Sequence, residues 1–192
     1  MATTTLFVEI LVIGATLELW LSGLLVLILG RHQAAEIVAS LTSAKELVPI
    51  LAVVALAMTY ALGWILNFFA ERLFRLFGQR RYRQQPFELL QVSYDTAKAR
   101  VLQGGAEAII YELRMDRHII RVARASVINF AALALVLFGS NDLTLGIRIT
   151  LGLLSVTASV GAFFQWLTRY RAYYRFVAQS YEALMCSRAP SA

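Results

Sequence analysis

Two carboxylates interrupt the first apolar stretch of this chain, and they are its most unusual chemical groups. Glu9 and Glu18 lie within Leu6–Leu29, a stretch that carries no other charged side chain. An ionised side chain at the centre of a membrane helix costs roughly 2.5–3.5 kcal/mol, so an intramembrane carboxyl is a functional hypothesis by default. The function it predicts is a conducting or proton-linked one.

These two carboxylates lie on opposite faces of a helix, because a separation of nine residues at about 100° each amounts to about two and a half turns. Both faces also carry small or polar residues, which a lipid-facing helix is not expected to do on two sides. We therefore expect helices of this chain to cover one face, and a neighbouring subunit or a water-filled path to cover the other. The alternative is that Glu18 is a protonated packing residue and Glu9 an interfacial one. Gly14 and Ser22 share the face of Glu18, and Thr16, Gly23 and Gly30 share that of Glu9.

Two amides near the ends of later apolar stretches are further candidates for a pathway or for helix packing. Asn67 and Gln165 each close a row of three small or polar residues at steps of four. Such rows are typical of helix–helix contacts in membranes. The rows are Thr59, Gly63 and Asn67, and Thr157, Gly161 and Gln165.

An arginine row leads into the third apolar stretch. Arginine binds carboxylates and phosphates bidentately, which lysine does not, and the chain has 16 Arg against 2 Lys. Three interpretations stay open: a face toward solvent or lipid headgroups, ion pairs with acids such as Asp116, or a pocket for a phosphorylated ligand. A contact between Glu9 and the last arginine of the row would explain both residues. The row consists of Arg114, Arg117, Arg121 and Arg124.

We find no catalytic or metal-binding spacing. His32 and His118 fall on opposite sides of the membrane in the topology below, and Cys186 is the single cysteine. Gly104 and Gly105 lack the Lys-Ser/Thr that follows in a phosphate-binding loop. We therefore expect a protein that is not an enzyme and that has no cofactor and no metal.

The elements that must position these residues are four apolar stretches, at about 6–29, 48–70, 125–139 and 149–168. A helix needs about 20 mostly apolar residues to cross the hydrocarbon core, which three of them provide. The third is shorter and must either use its flanks or thin the bilayer locally.

Charge predicts the orientation of these spans. Residues 71–124 hold 11 basic and 6 acidic side chains and the tail after Thr168 holds 4 and 1, whereas the connection 31–47 is neutral. Basic segments stay in the cytoplasm, so both termini are expected there. The net charge of +6 suits anionic lipid headgroups rather than nucleic acid.

Between the spans, the pattern predicts a cytoplasmic stalk of three helices over about 86–103, 106–124 and 169–186, each about 27–29 Å long. Apolar residues recur at steps of three and four in its first and last helices, as in a coiled-coil seam. Trp166 at the end of the fourth span is typical of an aromatic belt. The seams are Phe87, Leu90, Tyr94, Ala97 and Val101, and Tyr170, Tyr174, Val177, Tyr181 and Leu184.

The fold expected is therefore all-α and polytopic, with four transmembrane helices and a three-helix cytoplasmic stalk. Residues 1–70 hold spans one and two, 71–85 an interfacial amphipathic elbow, and 86–124 a cytoplasmic helical hairpin. Residues 125–168 hold spans three and four, and 169–192 a cytoplasmic helix and tail.

Three segments resemble ones that recur in uncharacterised four-span bacterial membrane proteins. They cover about a quarter of the chain. The resemblance implies a small four-span bacterial membrane protein, expected in the inner membrane, and implies no activity. The segments are FVEILVIGATLELWLSG (7–23), TYALGWILNFFAERLF (59–74) and YELRMDRHIIRVARASVINF (111–130).

Together these patterns favour a homo-oligomeric, non-enzymatic membrane protein that forms or gates a transmembrane pathway and uses its stalk for assembly or sensing. The two-faced first span and the stalk seams motivate this hypothesis. The alternative is a membrane-anchored scaffold or adaptor that docks a cytoplasmic protein at the stalk and conducts nothing.

Overall fold

The computed structural model describes residues 2–43, 48–76, 80–88, 90–141 and 143–188, and every regular element in these ranges is a helix. Four of the helices are long and apolar enough to cross a membrane, namely α1, α3, α6 and α7 below. The all-helical fold and the four apolar helices are thus confirmed. The helices are α1 (Ala2–Leu29), α2 (Arg31–Ser43), α3 (Val48–Phe74), α4 (Arg80–Glu88), α5 (Tyr94–Gly104), α6 (Glu107–Gly139) and α7 (Leu145–Arg188).

A glycine separates the first apolar helix from a second helix that the sequence pattern missed. Gly30 has a φ of 82° and its N–H donates to the carbonyl of Val26 at 2.9 Å. This left-handed conformation favours glycine and is a common way to end a helix. The chain then continues as α2 in what was expected to be a plain connection.

The single helix expected over 86–103 is wrong, because the chain forms two helices there. Pro86 lies inside α4, which ends at Glu88, and Gln91 adopts a φ of 49°. Ser93 then caps α5, its side chain accepting a hydrogen bond from the backbone N–H of Thr96 at 3.2 Å. A serine N-cap supplies a partner for a free N–H of the first turn, so it favours a new helix start at this point.

In the C-terminal half of the chain, the helices α6 and α7 extend beyond the apolar stretches that they contain. α6 begins close to the expected position and carries the short third stretch within 33 continuous residues. α7 is a single helix of 44 residues that includes the fourth stretch and the expected tail helix. Residues 77–79 of the expected elbow and 189–192 of the tail lie outside the described ranges.

The chain divides into two compact units, each described here by itself. Unit 1 comprises Met1–Ala70 and Arg124–Phe163, and unit 2 comprises Glu71–Ala123 and Phe164–Ala192. Unit 1 contains the polar residues of the apolar helices. Unit 2 contains most of the cytoplasmic part expected from sequence, although its arrangement as a three-helix stalk stays a prediction.

The core of unit 2 is built from the expected seam residues and from an unexpected tryptophan. Trp166 is 1% exposed, with its ring 4.6 Å from that of Phe74 and 5.3 Å from that of Tyr170. The prediction that Trp166 is an aromatic-belt residue at the bilayer surface is wrong. Phe74, the last residue of α3, packs against its ring and helps to bury it. The buried seam residues are Phe87, Ala97, Val101, Tyr170, Tyr174, Val177 and Tyr181.

Candidate functional site

Helices α1 and α3 touch backbone to backbone at two glycines of unit 1. A Cβ added at Gly14 would overlap the carbonyl oxygen of Thr59, and one added at Gly63 would overlap that of Ile10. Only hydrogen fits at these positions, which is how small residues let membrane helices approach closely. The row beginning at Thr59 therefore packs on the α1 face that holds Gly14.

Glu18 takes part in the same contact. The hydroxyl of Thr59 lies 2.6 Å from Oε1 of Glu18 and 2.8 Å from the carbonyl oxygen of Ala55. A hydroxyl has one hydrogen, so with a charged carboxylate it can serve only one of these two acceptors. The Thr59 hydroxyl therefore links the Glu18 carboxyl of α1 to the backbone of α3.

The second face of α1 is covered by α6 of the same chain. Asn129 is 2% exposed; its amide nitrogen donates to Thr16 Oγ1 and, at 3.2 Å, to the carbonyl oxygen of Ile13. Its amide oxygen accepts from the indole N–H of Trp20 at 3.0 Å. The sequence did not say which face of α1 the same chain would cover, and the Asn129 bonds show that α6 packs on this one. Cover of the other face by a neighbouring subunit or a water-filled path stays a prediction.

Sequence reasoning missed Asn129 as a contact residue. A signal was available, since it is the only amide in the third apolar stretch. A lone polar residue in an apolar helix marks either a packing contact or a pathway. The distance in sequence of more than 100 residues from its partners concealed which helix it would face.

Arg124 and Glu9 lie inside unit 1 rather than on its surface. Arg124 is 5% exposed, and its Nη2 donates to Oδ1 of Asn67 at 3.1 Å. Glu9 is 6% exposed. Arg124, the last arginine of the row, thus contacts Asn67, the last residue of the row that begins at Thr59 on α3. The expected Glu9–Arg124 contact stays a prediction.

The other members of the arginine row have different surroundings in unit 2. Arg121 bonds within its own helix, from Nε to the carbonyl oxygen of Arg117 and from Nη2 to the ring of His118, at 3.3 Å each. Arg114 and Arg117 are exposed. The four arginines therefore do not form one surface, since only Arg114 and Arg117 are exposed.

The neighbouring acid finds its partner on another helix. Asp116 has a side chain only 14% exposed and accepts from Nη1 of Arg169 at 3.5 Å. This pair joins α6 to α7 within unit 2, so the ion-pair interpretation holds for Asp116 with a partner outside the row.

The second small row has no comparable packing. Thr157 and Gly161 of unit 1 are exposed, and a Cβ at Gly161 would meet no described atom within 4 Å. The hydroxyl of Thr157 bonds to the carbonyl oxygen of Leu153 in its own helix at 2.9 Å. Gln165 is exposed in unit 2. The two rows share a spacing in sequence but differ in surroundings.

Unit 2 holds a perturbed lysine beside an aromatic ring. The ring of Tyr94 has Arg83 at 4.5 Å and Lys98 at 5.8 Å from its centroid, and Arg83 Nη2 lies 2.7 Å from each oxygen of Asp95. Burial lowers the pKa of Lys98 below its ordinary value of 10.5, and the positive charges of Arg117 and Arg83 lower it further against the opposing effect of Asp95.

Comparison with protein-family models, with curated proteins and with solved structures finds no match to this chain. The resemblance to four-span bacterial membrane proteins consequently stays an expectation. Within the described ranges, no three His, Cys, Asp or Glu side chains lie close enough together to hold a metal ion.

The polar contacts of unit 1 together form the candidate functional site. Three of its residues lie on α1 and the others on α3 and α6, and we call this set the polar ladder. It consists of Glu9, Thr16, Glu18, Thr59, Asn67, Arg124 and Asn129.

Proposed function

We propose that this chain is a non-enzymatic membrane protein that assembles from several copies and forms or gates a transmembrane pathway. In this proposal unit 2 lies in the cytoplasm and serves assembly or sensing. The observation that carries the proposal is the polar ladder, a series of ionisable and hydrogen-bonding groups on three of the four helices whose composition suits a membrane. Such groups are costly in lipid and mark ion or proton paths in many membrane proteins.

The ladder extends through about half of a bilayer. Glu9 and Glu18 are nine residues apart on α1, which is about 13.5 Å along a helix at 1.5 Å per residue. The hydrocarbon core is about 30 Å thick, so apolar residues must line the remainder. In α1 the last part of that remainder is the run 24–29, which holds only Leu, Val and Ile.

Assembly from several copies is supported by polar groups that face outward from unit 1. Glu18 is only half-buried and Ser22 is exposed, one helical turn apart on α1. Ser22 bonds to the carbonyl oxygen of Glu18 at 2.6 Å, which leaves the outer side of the carboxyl for another partner. Lipid tails cannot hydrogen-bond, so a second copy or water at this position stabilises the arrangement.

Ion and proton flux in proteoliposomes tests the pathway. We expect the wild-type protein to conduct under some ionic or pH gradient, and Glu18→Gln to change the flux or its pH dependence. Glu36→Gln is the matched control, because it makes the same chemical change at an exposed residue of α2, where Glu36 pairs with His32 at 3.3 Å. Equal flux in both variants and the wild type would remove Glu18 from the pathway.

The adaptor remains the second candidate, and the exposed Arg114 and Arg117 favour it. Two unburied guanidinium groups at a spacing of three on α6 suit an acidic segment of a cytoplasmic protein. Absence of flux under every gradient, with an intact oligomer in detergent, would decide for the adaptor.

Topology has its own test in the native cysteine. Cys186 is exposed near the end of α7, and we propose that it lies in the cytoplasm. A membrane-impermeant maleimide should leave it unlabelled in intact cells and label it after lysis. In a Cys186→Ser background, Ser40→Cys should label from outside and Gln103→Cys should not. The reverse pattern would overturn the orientation.

A further inference from the structure

A cavity of about 700 Å³ lies in unit 2 at the turn between α4 and α5. One face of α4 lines it, since residues at spacings of three and four share a face of a helix. The opposite wall comes from the turn and the first residues of α5, over 91–95. Pockets of roughly 300–1,000 Å³ hold small ligands, so the cavity has the size of a binding site. The α4 face consists of Arg83, Gln84, Phe87 and Glu88.

Part of the cavity wall is apolar. Phe87 is 3% exposed, and its ring centroid lies 5.6 Å from that of Tyr94, so two aromatic rings join α4 to α5 at the cavity. Val92 of the turn adds an aliphatic group. A wall of this kind favours the methylene groups of a ligand, because their contact with it removes apolar surface from water.

The charged part of the wall has more acidic than basic groups. Arg83 is the single basic residue among the described residues that line the cavity, and its Nη2 lies 2.7 Å from each carboxylate oxygen of Asp95. Lys98, 5.8 Å from the centroid of the Tyr94 ring, interacts with Asp95 as well. Glu88 is exposed and has no ion-pair partner in the described part of the chain. One lining carboxylate is thus left for a ligand.

We infer that this cavity binds a primary alkylammonium ion, which belongs either to a free amine or to a lysine side chain. An ammonium group has three N–H donors, whereas an ionised carboxylate offers only acceptors. Glu88 accepts one of these N–H groups, and the amide oxygens of Gln84 and Gln91 supply two further acceptors. The alkyl stem lies against Phe87 and Val92. The inference holds whether or not the protein conducts.

Calorimetric titration of the purified full-length chain, in nonionic detergent at constant ionic strength, tests the site with three probes. Cadaverine, a five-carbon diamine, represents a free amine. An acetylated and amidated Gly-Lys-Gly peptide presents a lysine side chain. The five-carbon diol has the same stem without the charge, and it should not bind. Saturable binding of cadaverine alone assigns the site to a free amine, and binding of the peptide assigns it to a lysine side chain.

The decisive variant is Glu88→Gln, and Glu182→Gln is its matched control. Both remove one negative charge from an exposed position of unit 2, and Glu182 lies on α7 outside the lining of the cavity. Glu88→Gln should weaken the affinity for the ammonium probe about fivefold, which is the upper end of what an exposed ion pair contributes. The control should change the affinity less than about twofold, because it alters only the general charge.

Glu88→Asp keeps the charge on a shorter side chain, so its affinity should fall between those of the wild type and Glu88→Gln. It also covers the case in which Glu88→Gln elutes abnormally in gel filtration. Equal affinities of Glu88→Gln and Glu182→Gln would show that this carboxylate does not hold the ammonium group and would overturn the site. Equal binding of the diol and the diamine, or no saturable binding of either amine by the wild type, would overturn it too.

Discussion

The hydroxyl oxygen of Thr59 lies 2.6 Å from Oε1 of Glu18, so a residue of α3 holds the central carboxyl of α1. The contact sits beside Gly14, where the backbones of the two helices meet. One interaction therefore serves both packing and the proposed pathway. Variants that keep the hydrogen bond but change the charge can separate these roles.

Glu18→Gln should leave the fold intact. The glutamine amide can donate to Thr59 while the threonine hydrogen remains for Ala55, so the free energy of unfolding should change by less than about 0.5 kcal/mol. Glu18→Leu places branched bulk beside Gly14 and should reduce stability. Unfolding in mixed detergent micelles, followed by circular dichroism, compares the two. A Gln variant as unstable as the Leu variant would show that charge itself supports the packing.

Glycine at positions 14 and 63 should be essential for the contact between α1 and α3. Gly14→Ala and Gly63→Ala each put a methyl group into a backbone carbonyl, so the helices must separate. We expect each to cost about 1–3 kcal/mol, the range typical of overpacking. Gly161→Ala is the control, because its added methyl meets open space in the same unit. Thermal unfolding with equal losses at 14 and 161 would contradict the described approach.

Asn129→Ala should destabilise unit 1 by about 1–3 kcal/mol, because it removes a buried amide and leaves its partners without their bonds. Asn141→Ala, at an exposed asparagine, should have little effect. Trp20→Phe removes one of the same bonds, so the double variant should lose less than the sum of the two single losses. Strict additivity in a double-mutant cycle would show that the indole and the amide act independently.

The buried Arg124 and the exposed Arg114 should differ in how much they contribute to the free energy of unfolding. Arg124→Ala removes a buried charged donor from Asn67 and should cost about 1.5–3 kcal/mol, while Arg114→Ala should cost less than about 0.5 kcal/mol. If Glu9 contacts Arg124 as expected, Glu9→Ala should cost a similar amount and add little in the double variant. Chemical unfolding of the wild type and of these four variants measures the differences in the free energy of unfolding. Similar costs at 124 and 114 would argue against a buried Arg124.

Lys98 should make stability depend on pH at the alkaline end. Its pKa is lower folded than unfolded, so the unfolded chain binds more protons between the lowered value and 10.5, and stability rises with pH across that window. Lys98→Gln should flatten this rise.

Arg117→Gln should bring the Lys98 pKa back upward, since it removes a nearby positive charge, whereas Arg114→Gln should do so much less. The rate of Lys98 acetylation against pH, followed by peptide mass spectrometry, reports the pKa. A profile unchanged by Arg117→Gln would rule out this charge effect.

Helical class and the number of long apolar helices could be predicted from sequence alone, because they depend on local properties. Apolar runs of about 20 residues have few alternatives to crossing a bilayer as helices. The seam residues Val101 and Val177 were likewise predictable, since spacings of three and four put apolar side chains on one helix face, and both are fully buried. The break between α4 and α5 was harder to predict. It depends on the backbone of Gln91 and on the N-cap at Ser93, while the spacing of apolar residues continues across it.

Among the candidate residues, the sequence determined which side chains are chemically unusual. Glu9, Glu18, Asn67 and Arg124 stand out because a polar group among apolar neighbours must find a partner. Their identity and their approximate position along each helix follow from composition and spacing alone.

Only the tertiary structure decided which partner each of them has. That Thr59 holds Glu18, that Asn67 holds Arg124 and that Asn129 covers the second face of α1 depends on how the helices rotate and approach. The physical reason is that spacing along a helix defines a face, whereas the helix that meets this face is selected by close packing between residues far apart in the chain.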